Sequence, residues 1–154
     1  MTKNIAVFAF MAMIALFGVT NQALADDPIY TGSFGNLAVK GYDTVSYFQG
    51  NGAPVKGSEK FQTQWRGANW HFSSQANLDA FKANPEKYAP QYGGYCAWAA
   101  AHGTLAKADP KIYKLENGKL YLNYDQSIAD KWLPRRAELI PAADEKYPTL
   151  VDLK

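Results

Sequence analysis

The sequence predicts a small α+β domain, antiparallel β-hairpins packed with several short helices. Two observations carry this. Alternating apolar and polar runs come in pairs around tight turn signals, at Arg66-Gly67-Ala68 and at Glu116-Asn117-Gly118. Between and after them lie short segments with a polar cap residue at the front and Gly or Pro at the end. No internal repeat, low-complexity block or linker divides the chain.

Taken in order, residues 1–25 read as a secretory signal peptide. Lys3 precedes an uncharged apolar run, Ile5 to Val19, and Ala23-Leu24-Ala25 stands directly before Asp26. The run is short of the ~20 apolar residues of a membrane span, and no later segment reaches that length, so the chain is not expected to span a membrane after cleavage. A periplasmic or secreted protein of 129 residues, 26–154, follows, enough for one domain with a C-terminal helical extension. Asp26 to Phe34 reads as an extended lead-in, Ala38-Val39-Lys40 as a short strand, and Asp43 as the cap of a helical turn over Thr44 to Phe48. Gln49 to Ser58 reads as a Gly-rich loop. Phe61 to Trp65 and Asn69 to Phe72 form the first hairpin, and Ser73 or Ser74 caps a helix over Gln75 to Ala83. Asn84-Pro85 ends it and opens another turn. Tyr92-Gly93-Gly94 is a bend, Tyr95 to His102 a helix, and Gly103 its left-handed terminator. Asp109-Pro110 reads as a turn. Ile112 to Leu115 and Lys119 to Tyr124 make the second hairpin, with Asn-Gly as its turn signal. Asp125 caps a helix to about Trp132, and Arg136 to Lys146 is helical with a break expected at Pro141.

After cleavage the chain holds 15 basic and 14 acidic residues, which gives no reason to expect nucleic acid as a partner. All ten Tyr and all four Trp lie in this part, so an aromatic core is expected. Its one cysteine, Cys96, has no partner for an internal disulfide, leaving a buried side chain, a reactive thiol, a metal ligand or half of an intermolecular bridge. At a helix start, unpaired backbone N–H groups favour a thiolate, as a nucleophile or soft-metal ligand requires. A small buried side chain is the competing reading. His102 lies six residues on, about 240° around and about 9 Å along a straight helix, so the two do not share a metal or a proton on it. His102 also fits the last turn as a dipole-facing cation. His71, in Trp70-His71-Phe72, points away from its two neighbours. A metal site built from Cys96, His71 and His102 therefore has to be assembled by folding. Methionine donors are excluded, since Met1, Met11 and Met13 all precede the cleavage point.

Tyr42, Tyr47, Trp70, Tyr92, Tyr95 and Trp98 gather around predicted turns, either as a pocket for a small organic ligand or as ordinary core. No CxxC, HExxH, GxSxG or phosphate loop is present, so no enzyme class is indicated. A thiol-dependent redox enzyme would have to be built on Cys96 without a local signature.

Five stretches, GYDTVSYF (41–48), WHFSS (70–74), FKANPEKYAPQYGGYCAWA (81–99), DP (109–110) and GKLYLNYD (118–125), resemble the YHS-domain family in its exported bacterial branch. The resemblance spans about residues 36–133. It implies an α+β metal-associated module and, with Cys96 as the thiol, a non-enzymatic protein binding copper or a similar soft metal. In the family's metal-binding relatives two cysteines occur in a pattern like YFCSxxCxxxF. On this chain that pattern falls on HFSSQANLDAF, and Ser73 and Asn77 stand where the cysteines would be. The alternatives are an aromatic-pocket module for a small ligand or a protein partner, with a structural Cys96, and the thiol enzyme.

Overall fold

A computed structural model describes residues 26–33 and 35–153 and gives the expected α+β architecture. The signal-peptide reading of residues 1–25 lies outside the described residues, as does Phe34. Three two-stranded antiparallel sheets are present among the described residues. They pair β1 (Tyr42–Asp43) with β2 (Val55–Lys56), β3 (Ser58–Trp65) with β4 (Ala68–Phe72), and β5 (Asp109–Glu116) with β6 (Lys119–Asn123). The helices are α1 (Gln75–Ala83), α2 (Pro85–Tyr88), α3 (Ala97–Ala101), α4 (Gln126–Trp132) and α5 (Arg136–Lys146). No helix of the described residues is long and apolar enough to cross a membrane.

Caps and turns fall where the side-chain chemistry placed them. Ser74, Asn84 and Asp125 accept the backbone N–H of Asn77, Lys87 and Ile128 at the starts of α1, α2 and α4. Both hairpin turns are left-handed at their two central residues, Arg66-Gly67 (φ +46° and +77°) and Asn117-Gly118 (φ +51° and +73°).

Strand periodicity explains the core. In β6, Leu120 and Leu122 point into one apolar cluster, with Val45, Tyr47, Trp70, Phe72 and Phe81. Tyr121 points the other way, into a second cluster with Tyr92, Trp132, Leu139 and Ala143. So β6 is a partition buried on both faces. Helix α3 divides similarly, Ala99 on the first cluster and Ala97, Ala100 and Ala101 on the second. These small residues let α5 pack closely on α3, and the Lys146 ammonium donates to the Ala101 carbonyl at 2.8 Å.

Four local expectations are corrected. Ala38–Lys40 is not a strand. Val39 and Lys40 are left-handed (φ +50° each), because the chain must reverse between Leu37, which bridges to Asn69, and Tyr42, which pairs with Lys56. The loop after Gln49 contains β2, since the Val55 N–H reaches the Ser46 hydroxyl at 3.0 Å and Gly57 donates to the Gly41 carbonyl at 2.8 Å. Asp109-Pro110 begins β5 instead of turning, with the Pro110 carbonyl accepting the Tyr47 hydroxyl at 2.7 Å. Pro141 does not break α5. Its ring faces solvent, while Leu139 and Ala143 on either side are buried against α3, so tertiary packing outweighs one lost helical bond.

Candidate functional site

Cys96 is the N-cap of a five-residue α3 and is 1% exposed. The Trp98 N–H, which a thiolate would have used, donates instead to the Asn123 side-chain carbonyl at 3.3 Å. The thiol donates to the same oxygen at 3.7 Å, and the Cys96 backbone N–H goes to Ala106 at 2.9 Å. Asn123 is itself buried at the end of β6. The helix start is therefore capped from β6, and the thiol is sealed beneath it.

His71 is half-buried on the face of β4 opposite Trp70 and Phe72, as alternation requires, with its backbone against Gly57. A Cβ on Gly57 would lie 2.4 Å from the His71 carbonyl carbon, so only glycine fits there. His102 is exposed at the end of α3, stacked on Trp98 (4.6 Å between centroids), its Nδ1 2.7 Å from the Trp98 carbonyl oxygen. That oxygen only accepts, so Nδ1 carries the proton. Among the described residues no group of three or more His, Cys, Asp or Glu side chains could hold a metal ion. The set Cys96, His71 and His102 is thus not brought together.

The aromatic set is dispersed as well. Tyr42 lies under the Lys56 ammonium, Trp70 is packed between Trp65 and Phe81 in the first cluster, and Trp98 lies near the Arg135 guanidinium as well as His102. Tyr95 packs on Tyr30 and donates to the Asp27 carbonyl at 3.0 Å. Tyr92 borders one cleft and Tyr95 a separate one.

The Tyr92 cleft has a volume of about 250 Å³ between Trp65, Arg66, Glu86, Gln91 and Asp144. Tyr92 donates to Asp144 at 2.9 Å, and burial, reinforced by that hydrogen bond, pushes its phenol well above the ordinary range. Burial pushes Tyr95 up to about 12, with Asp26 and Asp27 adding to it. Burial pushes Tyr121 up to about 12 too, with Asp144 and Glu116 adding. A folded-state pKa above the unfolded value gives stability that is complete below about pH 10, the unfolded phenol range, and lost as pH rises toward 12. Folding stability is therefore expected to fall steeply above about pH 10, coincident with tyrosinate absorbance; unfolding that runs to completion below that range would contradict it.

Two features escaped sequence reasoning. The first is Asp43, 0% exposed, whose carboxylate accepts five hydrogen bonds. Oδ1 takes the Val45 and Ser46 N–H groups at 2.9 and 3.3 Å. Oδ2 takes the Ser73 N–H, the Ser73 hydroxyl and the Asn77 amide at 2.8, 2.6 and 2.7 Å. The residues at the two family cysteine positions thus both turn to one buried carboxylate. The carbonyl oxygen of Asn77 is occupied too, by the Gln49 amide at 3.1 Å. This oxygen- and amide-rich set does not fit a soft metal, and its acceptors are already used by the chain. The helical-turn cap was legible at Asp43; its reach across 30 residues to Ser73 was not.

The second is Arg66. Its turn twin is Asn117, the residue type that tolerates the left-handed region, whereas a longer side chain there costs about 1–2 kcal/mol. Its guanidinium lies over the Trp65 ring at 4.6 Å and pairs with Glu86 at 3.1 Å, the two side chains being 43% and 74% exposed. Such an exposed stack and ion pair each return at most about 1 kcal/mol, so stability alone does not favour arginine. The signal available in the sequence was a basic residue where Asn-Gly would be the ordinary turn.

Residues 50–92 match the family model of the YHS domain. Neither a curated protein nor a solved structure matches the chain. The matched segment runs from the loop before β2 through α2 to Tyr92. It contains Ser73, Asn77 and Arg66, and it stops short of Cys96.

Proposed function

We propose that this chain is an exported, non-enzymatic binding module built on a YHS domain, taking a small organic ligand in the cleft beside Tyr92, with Cys96 as a structural thiol. The single observation that carries this is the seal over Cys96: 1% exposed, with the helix-start N–H groups around it given to other partners. Such a thiol is poorly placed as a copper ligand or as the nucleophile of a redox enzyme. The cleft, by contrast, sets Trp65 and Tyr92 beside Arg66, Glu86 and Asp144, ring faces with charged groups that fix a ligand's orientation. Export rests on the pattern of residues 1–25 alone.

Two measurements on the mature chain test the reading. In native mass spectrometry of freshly purified protein the expected result is an organic adduct without stoichiometric copper; a bare chain in every preparation would count against the cleft reading. Copper(I) bound by the wild type and lost in Cys96→Ser would overturn it. Thiol alkylation should be at least about a hundredfold slower in the folded protein than in denaturant, because it needs an opening reaction to expose Cys96. Alkylation at the rate of a free thiol would return Cys96 to the candidate ligands and nucleophiles.

A further inference from the structure

The geometry points to Arg66 as the ligand-recognising residue of the Tyr92 cleft, and to a small zwitterion of amino-acid or dipeptide type as what it takes. This rests on the cleft reading above and adds the chemistry of the ligand. Arg66 lines not one cleft but three that adjoin at the β3–β4 turn, with volumes of about 250, 300 and 60 Å³. Its guanidinium lies against the Trp65 face, which holds the plane and leaves the N–H edge available. That edge is engaged by a single carboxylate contact, Nη2 to Oε1 of Glu86, and Glu86 is the more exposed partner, free to swing out into water. Glu86 thus occupies, through one contact, the position a ligand carboxylate would take, and a ligand carboxylate could add the second bond that a planar fork accommodates. Beside Glu86, the cleft's second carboxylate is Asp144, which accepts the Tyr92 hydroxyl and adds a negative charge that disfavours a simple anion. A ligand with a carboxylate toward Arg66 and an ammonium toward Asp144 meets both. The left-handed backbone at Arg66, relaxed at its twin Asn117, is what a residue retained for recognition at some cost in stability leaves behind.

The test uses glycylglycine, acetate and ethylamine at millimolar concentration against the isotope-labelled mature chain, read by NMR at Gly93 and Arg66. Glycylglycine is expected to shift these resonances, and in Arg66→Asn its affinity should drop at least about tenfold, the loss of one charge-assisted contact. The same variant should fold and melt within about 4 °C of the wild type, because relief of the left-handed turn offsets the lost stack and ion pair. Equal affinity in wild type and Arg66→Asn removes Arg66 from recognition and leaves the cleft reading intact. Acetate binding as tightly as glycylglycine overturns the zwitterion class. No shift in the wild type with any of the three sinks this inference, whereas native mass spectrometry separately decides the cleft reading.

Discussion

Gly93→Ala is expected to cost about 3–5 kcal/mol of folding stability, or to leave no folded protein at all. Gly93 is left-handed, φ +60°, in the turn Gln91–Gly94 before Cys96. A Cβ added there would lie 1.8 Å from the Pro28 carbonyl oxygen, 2.9 Å from the Pro28 carbonyl carbon and 2.8 Å from the Tyr147 hydroxyl. Left-handed backbone alone costs an L-residue about 1–2 kcal/mol. The remainder comes from the clash, which a flexible side chain cannot absorb because the obstacle is backbone. The lead-in segment would have to lift away, breaking the Tyr30 N–H to Gly93 carbonyl bond (3.0 Å) and the Tyr147 hydroxyl to Pro28 carbonyl bond (2.6 Å). Gly118→Ala is the control: its φ is +73°, but a Cβ there meets nothing within 4 Å, so only the backbone cost should appear. Denaturant titrations followed by tryptophan fluorescence compare the two. If Gly93→Ala loses no more than Gly118→Ala, the close packing of the lead-in on the 91–94 turn is wrong.

Asp43→Ala is the second large effect, expected at about 3–5 kcal/mol. Five donors lose their acceptor at once, and each buried one left without a partner costs about 1–3 kcal/mol, reduced where water can enter beside exposed Ser73. Asp43→Asn keeps the shape but turns an N–H₂ group toward donors whichever way the amide is placed, so a loss of about 2–4 kcal/mol is expected there. Ser73→Ala removes only one contributor and should cost about 1 kcal/mol. The same series separates structural from metal-holding roles, since a strong chelator should leave the wild-type denaturation midpoint unchanged. An Asp43→Asn protein as stable as the wild type, or a midpoint that falls with chelator, would contradict a hydrogen-bonded hub at this position.

Local elements were legible in the sequence wherever short-range chemistry decides them. Ser74, Asn84 and Asp125 cap the helices predicted at 75, 85 and 126, and Asn117-Gly118 turns the second hairpin, because each needs only groups within three residues. The alternation of His71 against Trp70 and Phe72 was legible for the same reason. The fate of Pro141 was not, because its helix is held by burial against α3 and not by its own hydrogen bonds. Nor was the fate of Cys96. Whether a thiol at a helix start is exposed depends on what covers it, and the cover is Asn123, 27 residues away on β6. Ser73 and Asn77 were recognisable at the positions where the resembling pattern has cysteines, yet the group they bind is an acid 30 and 34 residues upstream. Only the tertiary structure placed these partners, because hydrogen-bond satisfaction and burial across the fold join residues whose sequence separation carries no periodic signal.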